Sequence, residues 1–223
     1  MSAPTTTATE RPNVQEMLVV HKVFRREFAL IPLLVRRVAP ADTAQAGRIA
    51  EHTRLVLDGL HMHHTGEDEL LWPLLLERAT PSTDLVHRMQ AEHARVEELT
   101  GRLDELLPRW ADGASPEIGS ELADTLLDLR ETLVGHLDEE EREILPLAAA
   151  HLSVAEWNAM GEHGRDAMSR AQLPLMFGAM LEDASPEERQ WMLALLPAPI
   201  RLLMRTVGAR KYRRYITAVR RTG

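Results

Sequence analysis

The chain has 223 residues, a formal net charge of -8 and no cysteine. Without cysteine there are no disulfides, thiolate metal sites or cysteine nucleophiles, so a metal would be bound by imidazole and carboxylate, which suit iron, manganese or zinc better than copper(I). Residues 1–12 lack the basic and apolar segments of a signal peptide, and no apolar run reaches the ~18 residues of a membrane span. We therefore expect a disordered N-terminus over residues 1–12 and a cytoplasmic protein without a membrane partner.

Helical periodicity extends over nearly all of the remaining chain, and alternating β-branched runs are missing. Pro, Gly and Ser cluster in "VAPADT", "RATPSTD" and "WADGASPE", which we interpret as loops. Four long helices with short connections predict an all-α fold, an antiparallel four-helix bundle at residues 13–150. Additional C-terminal helices follow at residues 151–223. The predicted helices are 13–38, 42–78, 82–109, 116–150, 154–180, 186–207 and 209–220.

Residues 151–223 are predicted to be a helical C-terminal extension of unknown role. "SVAE" from Ser153 and "SPEE" from Ser185 have the capping-box pattern of a helix start. Residues 1–150 carry a net charge of -12 and the extension +4, with eight basic and no acidic residues from Arg201 onward. Such a segment could bind nucleic acid or an anionic surface, or dock on the acidic bundle. Interleaved apolar residues favour docking. No helix-turn-helix pattern is present and the bundle would repel phosphates, so we expect no nucleic acid partner.

The bundle contains an internal repeat. "HHTGEDELLWPLL" from His63 aligns with "HLDEEEREILPLA" from His136 at a constant offset of 73 residues, which superimposes two His-x-x-x-Glu pairs. The first and third helices align at an offset of 72 residues, His21 with His93. The chain therefore reads as two helical hairpins, each with one histidine on its first helix and a His-x-x-x-Glu pair on its second.

These polar residues share the faces of their helices with apolar residues. On the second helix, for example, Leu60, Leu70 and Leu74 lie on the same stripe as the His-x-x-x-Glu pair. Burying ionised carboxylates in an apolar core costs several kcal/mol each unless something compensates, and a pair of divalent cations would do so. A metal-free His–Glu hydrogen-bond network is the alternative. The predicted metal ligands are His21, His63, Glu67, His93, His136 and Glu140.

The other histidines fall outside these stripes. The helical repeat rotates His64 by about 100° from His63, and His61 by about 160°, so both are predicted to lie at the mouth of the site or on the surface. No catalytic residue separate from the metal centre is predicted. Residues that could contact the ligands without binding metal are His64, Asp68, Glu97 and Glu141. Histidines not predicted to be ligands are His52, His87, His151 and His163.

As a set, these residues resemble the hemerythrin-like family of HHE cation-binding domains, over roughly residues 13–150. The resemblance rests on His21, on the His63 pair followed by "LLWP", on "EH" at Glu92 and His93, and on the His136 pair followed by "ILP". It implies a non-haem centre of two iron ions with an oxo or hydroxo bridge. Glu67 and Glu140 would be bridging carboxylates and the histidines terminal ligands. The competing ferritin-like class uses four glutamates and the order E-x-x-H, which differs from this chain.

The chain departs from the oxygen-carrying hemerythrins at two points. Met89 and Glu97 occupy the positions four residues from His93, and the last helix has H-x-x-x-E in place of H-x-x-x-x-D. Two six-coordinate irons need about twelve donor positions. Four imidazoles, two bridging carboxylates and one oxygen bridge would leave about two positions open, whereas an oxygen carrier leaves one.

Open adjacent positions favour turnover of hydrogen peroxide, dioxygen or nitric oxide. The resemblance implies catalase- or peroxidase-like stress protection or nitric-oxide processing, although the sequence does not decide whether the protein is an enzyme. The alternatives are an iron, oxygen or redox sensor whose di-iron state controls docking of the extension, or an oxygen-binding or iron-storage protein. The C-terminal helices could also form a homodimer interface.

Overall fold

The computed structural model describes residues 11–79 and 83–221. Within these ranges all regular structure is helical and no strand is present, which confirms the all-α prediction. Most of the segment predicted to be disordered, residues 1–10, lies outside the described residues.

The first part of the chain forms the predicted four-helix bundle. α1 packs against α2 and α5, and α4 packs against the same two helices, so the four surround one core. Because the starts of α1 and α4 lie level with the ends of α2 and α5, neighbouring helices are antiparallel. The elements are α1 (Gln15–Arg37), α2 (Thr43–Gly66), the π-helical turn π1 (Glu67–Leu71), α3 (Trp72–Arg78), α4 (Thr83–Gly113), α5 (Pro116–Glu139), π2 (Glu140–Ile144) and α6 (Leu145–His151).

The two π turns change which side chains face the core. Leu70 and Leu74 were predicted for the core stripe, but both are only half-buried, whereas Leu71 and Leu75 are fully buried. A π turn contains one residue more than an α turn, so every position after Glu67 is shifted by one. The prediction for Leu70 and Leu74 was therefore wrong, although the helix itself was predicted correctly.

The extension consists of shorter helices than the sequence predicted. Pro174 ends one of the predicted helices, since proline cannot continue a helix through its interior, and "LPAP" from Leu196 interrupts the other. The capping boxes at Ser153 and Ser185 are both formed. The elements are α7 (Val154–Ala167), α8 (Leu173–Glu182), α9 (Pro186–Ala194), α10 (Ala198–Leu203), π3 (Met204–Gly208) and α11 (Ala209–Val219).

The extension docks on the bundle mainly through apolar side chains. Ala179 of α8 and Tyr212, Ile216 and Val219 of α11 belong to the same buried cluster as the bundle core. Among the eight basic residues from Arg201 onward, only Arg220 forms an ion pair within residues 11–79 and 83–221. Docking therefore agrees with the expectation from sequence, but charge contributes through one residue.

That residue belongs to a buried polar network centred on Glu27, which is 1% exposed. The Glu27 carboxylate lies 3.1 Å from Arg220 Nη2, 2.9 Å from Arg26 Nε and 3.1 Å from His52 Nε2. His52 Nδ1 in turn lies 2.9 Å from the Tyr215 hydroxyl. Burial alone would raise the pKa of Glu27, but the hydrogen bond from His52 and the neighbouring cationic groups lower it to about 2. The network therefore holds α11 to α1 and α2.

Candidate metal centre

One polar layer crosses the bundle between two separate hydrophobic clusters. Phe24, Leu60 and Leu133 belong to the cluster on one side, and Met89 and Ile144 to the cluster on the other. All six predicted ligands lie in this layer, and their side chains are at most 7% exposed. The layer is therefore shielded from water at both ends.

The first donor set joins three helical segments. His21 of α1, His63 of α2 and Glu140 of π2 each point one ligand atom to a common position, and these atoms lie within 4.8 Å of one another. His21 Nε2 lies 3.2 Å from Glu140 Oε2. Two imidazoles and a carboxylate at this spacing could bind one divalent cation.

The second donor set lies beside the first. It consists of His64 of α2, Glu67 of π1, His93 of α4 and His136 of α5, again with ligand atoms within 4.8 Å of one another. His93 Nε2 and His136 Nε2 are 3.2 Å apart. The His64 ring stacks on that of His93, with centroids 4.0 Å apart.

Glu67 faces both donor sets. Its Oε1 lies 3.4 Å from Nε2 of His63, in the first set, and its Oε2 lies 3.4 Å from Nε2 of His93, in the second. One carboxylate therefore presents an oxygen to each set.

Many polar atoms of this layer are buried without a hydrogen-bond partner among the described residues. They are His21 Nε2, His63 Nε2, His64 Nε2 and both carboxylate oxygens of Glu67 and of Glu140. A buried polar atom without a partner is rare and costs about 1–3 kcal/mol, so seven in one place need an explanation. Because they converge on two positions, a cation at each would satisfy them, and the residues fit a pair of metal ions.

The electrostatics of the two glutamates lead to the same conclusion. Burial and then the charge of Glu140 raise the pKa of Glu67 well above its usual range. Burial also acts on Glu140, but the charges of His21 and His63 and a hydrogen bond with His21 outweigh it and lower its pKa. Two adjacent buried carboxylates cannot both ionise without compensation. Bound cations would allow both to be anionic.

Three of the histidines are oriented by carboxylates outside the layer. Nδ1 of His21 lies 2.8 Å from Glu141, that of His93 lies 3.0 Å from Asp68, and that of His136 lies 2.9 Å from Glu92. When Nδ1–H donates to a carboxylate, the Nε2 lone pair is free for a metal. Trp72 Nε1 donates to Asp68, and Arg25 donates to Glu141, which fixes both carboxylates.

Comparison with known proteins agrees with this geometry. The family model of the hemerythrin HHE cation binding domain matches residues 13–148. The chain belongs to this family. No curated protein and no solved structure gave a match. Among the described residues, no helix has the length and apolar character needed to cross a membrane.

In this hemerythrin-like bundle, His64 lies in a different place from the one predicted. It is 7% exposed and belongs to the second donor set, not to the mouth of the site or the surface. α2 lies between α1 and α4, so two of its faces point into the bundle. His63 faces His21 of α1, and His64 faces His93 of α4. A single core stripe was therefore the wrong assumption for this helix.

The other predictions near the site have mixed outcomes. Asp68 and Glu141 contact ligand histidines as the sequence suggested, but Glu97 is exposed. Glu92 was missed as a partner of His136, because the two residues lie on different helices and no sequence spacing relates them. His61 is exposed and lines a narrow cavity between α2 and α4, together with Glu97 and His64.

Both ligand glutamates are the first residues of π turns. Glu67 begins π1 and Glu140 begins π2, so the 73-residue repeat is preserved in the backbone. Such turns are frequent at functional sites, where they re-aim side chains. Pro73 and Pro146 follow the two turns and are the sequence signal that could have predicted them, because a proline ring clashes with the carbonyl four residues earlier in a regular helix.

Proposed function

We propose that this protein uses a non-haem di-iron centre to bind a small oxidant: dioxygen, hydrogen peroxide or nitric oxide. The observation that carries the proposal is the pair of adjacent, buried donor sets faced by the two oxygens of Glu67. His21, His63 and Glu140 would hold one iron. His64, Glu67, His93 and His136 would hold the other. Irons bound here would supply redox chemistry and an open position for the oxidant.

The surrounding residues support this role. Asp68, Glu92 and Glu141 accept hydrogen bonds from ligand histidines and keep their Nε2 atoms directed inward. Apolar clusters on both sides exclude bulk water from the layer. A dry site strengthens the interaction between these donors and a bound cation.

His64 favours binding over turnover. With His64 as a fifth imidazole, the chain supplies five nitrogen donors and two carboxylates. If both carboxylates and one solvent-derived oxygen bridge the irons, about one of roughly twelve positions remains open. The sequence, which counted four histidines, suggested about two. One open position fits reversible binding of a single ligand better than disproportionation of peroxide.

The cavity beside His64 fits the same proposal. It has a volume of about 50 Å³ and lies between α2 and α4, where His61, His64, Asp68, His93 and Glu97 line it. Water occupies ~30 Å³ per molecule in the liquid, so this space admits only a very small molecule. We propose it as the entry route for the oxidant.

Metal analysis combined with an optical spectrum tests the proposal. We expect two irons per chain and near-ultraviolet bands of an oxygen-bridged pair. Added azide or nitric oxide should form a saturable adduct with one ligand per pair. Absence of iron from protein purified from its native host would contradict the di-iron assignment. Oxygen release from peroxide far above that of free iron would instead favour a catalase-like enzyme.

A sensor is the second candidate, because α1 carries both a ligand, His21, and the centre of the docking network, Glu27. These residues are six positions apart, ~9 Å along a helix. In this proposal, the state of the irons would shift α1 and so alter the docking of α11. Hydrogen exchange of residues 209–219 should then differ between apo, reduced and oxidised protein, and identical exchange in all three would rule this role out.

A further inference from the structure

The outer face of the extension carries arginines without acidic partners. Five of them, together with Thr217 and Ala218, line a groove of about 580 Å³ between α2 and α11: Arg48, Arg210, Arg213, Arg214 and Arg221. A second groove of about 290 Å³ adds Arg205 and shares two of the same arginines. None of the six forms an ion pair within residues 11–79 and 83–221. Arg220, on the inner face of α11, does so with Glu27 and Glu182.

An exposed apolar patch adjoins these arginines. Of six large hydrophobic side chains exposed among the described residues, five lie between residues 195 and 207. Val207, which is 60% exposed, lines the second groove together with Arg205, Arg210 and Arg213. The patch and the grooves therefore form one surface. The apolar members are Leu195, Ile200, Leu202, Leu203 and Val207.

We propose that this surface binds the anionic face of a phospholipid bilayer. Apolar side chains beside arginines on a surface helix are the composition of interfacial membrane helices, in which the apolar residues enter the acyl boundary and the cations contact lipid phosphates. The sequence suggested no membrane partner, on the ground that no span is present. Binding at the interface needs no spanning helix.

Charge complementarity separates this partner from the others. A soluble polyanion, such as a nucleic acid, would use the arginines but leave the five apolar side chains exposed to water. A second copy of the chain could cover the apolar patch, but a two-fold interface would bring the arginines of both copies together. An anionic bilayer accommodates both halves of the surface, because lipid phosphates pair with guanidinium groups while the apolar side chains leave water.

Vesicle flotation with the full chain tests the proposal. We expect the protein to float with vesicles of phosphatidylglycerol and phosphatidylcholine, to float less as salt increases, and to stay in solution with pure phosphatidylcholine. The triple variant Arg210→Glu, Arg213→Glu, Arg214→Glu should bind more than about tenfold more weakly. All three side chains are exposed, so the fold should be retained.

Two further variants distinguish insertion from simple charge attraction. The double variant Leu203→Ser, Val207→Ser should also weaken binding by about tenfold, because it removes apolar contact without changing charge. A matched control changes the same charge elsewhere: Arg102→Glu, Arg109→Glu, Arg130→Glu on exposed positions of α4 and α5. This control should remain within about twofold of the wild type if the site is specific.

Several outcomes would overturn the proposal. These are no flotation with anionic vesicles, an equal loss in the control triple variant, or unchanged flotation of the double serine variant. Binding of inorganic polyphosphate or duplex DNA without any vesicle binding would show that the partner is a soluble polyanion. A dimer in sedimentation velocity that dissociates in the double serine variant would show that a second copy covers the patch.

Discussion

His63 and His64 are consecutive on α2 but belong to different donor sets, with ring centroids 5.3 Å apart. The first faces α1 and the second faces α4. One turn of helix therefore supplies both halves of the candidate centre. This arrangement turns a cluster of histidines in the sequence into two separable sites.

The first prediction concerns these two residues. His63→Ala and His64→Ala should each lower the iron content of the purified protein, because each removes one imidazole from a buried donor set. His61→Ala is the matched control, since His61 is exposed and outside both sets. Iron per chain, measured by elemental analysis, is the readout. If His64→Ala keeps two irons and an unchanged spectrum, His64 is not a ligand.

Glu92 should be needed to orient His136. Glu92→Gln removes the carboxylate that lies 2.9 Å from His136 Nδ1. Loss of such an outer contact lowers metal affinity by about 10–100-fold, which a titration with a competing chelator would measure. Glu97→Gln, an exposed change on the same helix, should leave the affinity unaltered. Equal affinities in the two variants would contradict the orienting role.

Docking of the extension should contribute stability that is lost in acid. The pKa of Glu27 is lowered to about 2 in the folded protein, from an ordinary value of 4.5. Its stabilisation, about 3 kcal/mol, is therefore complete above pH 4.5 and lost as pH falls toward 2. Urea unfolding from pH 6 to pH 3 should show the difference between wild type and Glu27→Gln becoming smaller. The exposed change Glu105→Gln should show no such trend, and a constant difference for Glu27→Gln would argue against this account.

A glycine controls the approach of α8 to α11. A Cβ at Gly178 would lie 2.6 Å from Cβ of Tyr212 and 2.8 Å from its ring, too close for either helix to keep its position. Gly178→Ala should destabilise the docked extension by about 1–3 kcal/mol and speed its proteolysis. Gly101 of α4 has no atom within 4 Å of the same position, so Gly101→Ala should instead stabilise the protein slightly. Protection of α11 unchanged in Gly178→Ala would show that the helices tolerate the extra atom.

Local periodicity was sufficient to predict the helices of the bundle and both His-x-x-x-Glu pairs. Residues four apart on a helix share a face whatever the tertiary structure, and the repeat at 73 residues identified which pairs belong together. His21 and His93 followed from the same alignment. These six residues make up all but one of the donors that the structure brings together.

Other features depend on how helices pack, which no spacing within one helix records. His64 is a donor because α2 has an interior neighbour on both sides, and Glu92 reaches His136 across the contact of α4 and α5. The extra residue in each π turn moved the core from Leu70 to Leu71. Arg220 meets Glu27 across 193 positions of sequence. The sequence by itself determined the periodic faces and the paired ligands, whereas only the tertiary structure decided which other faces become interior, because burial is a property of neighbouring helices and not of one helix alone.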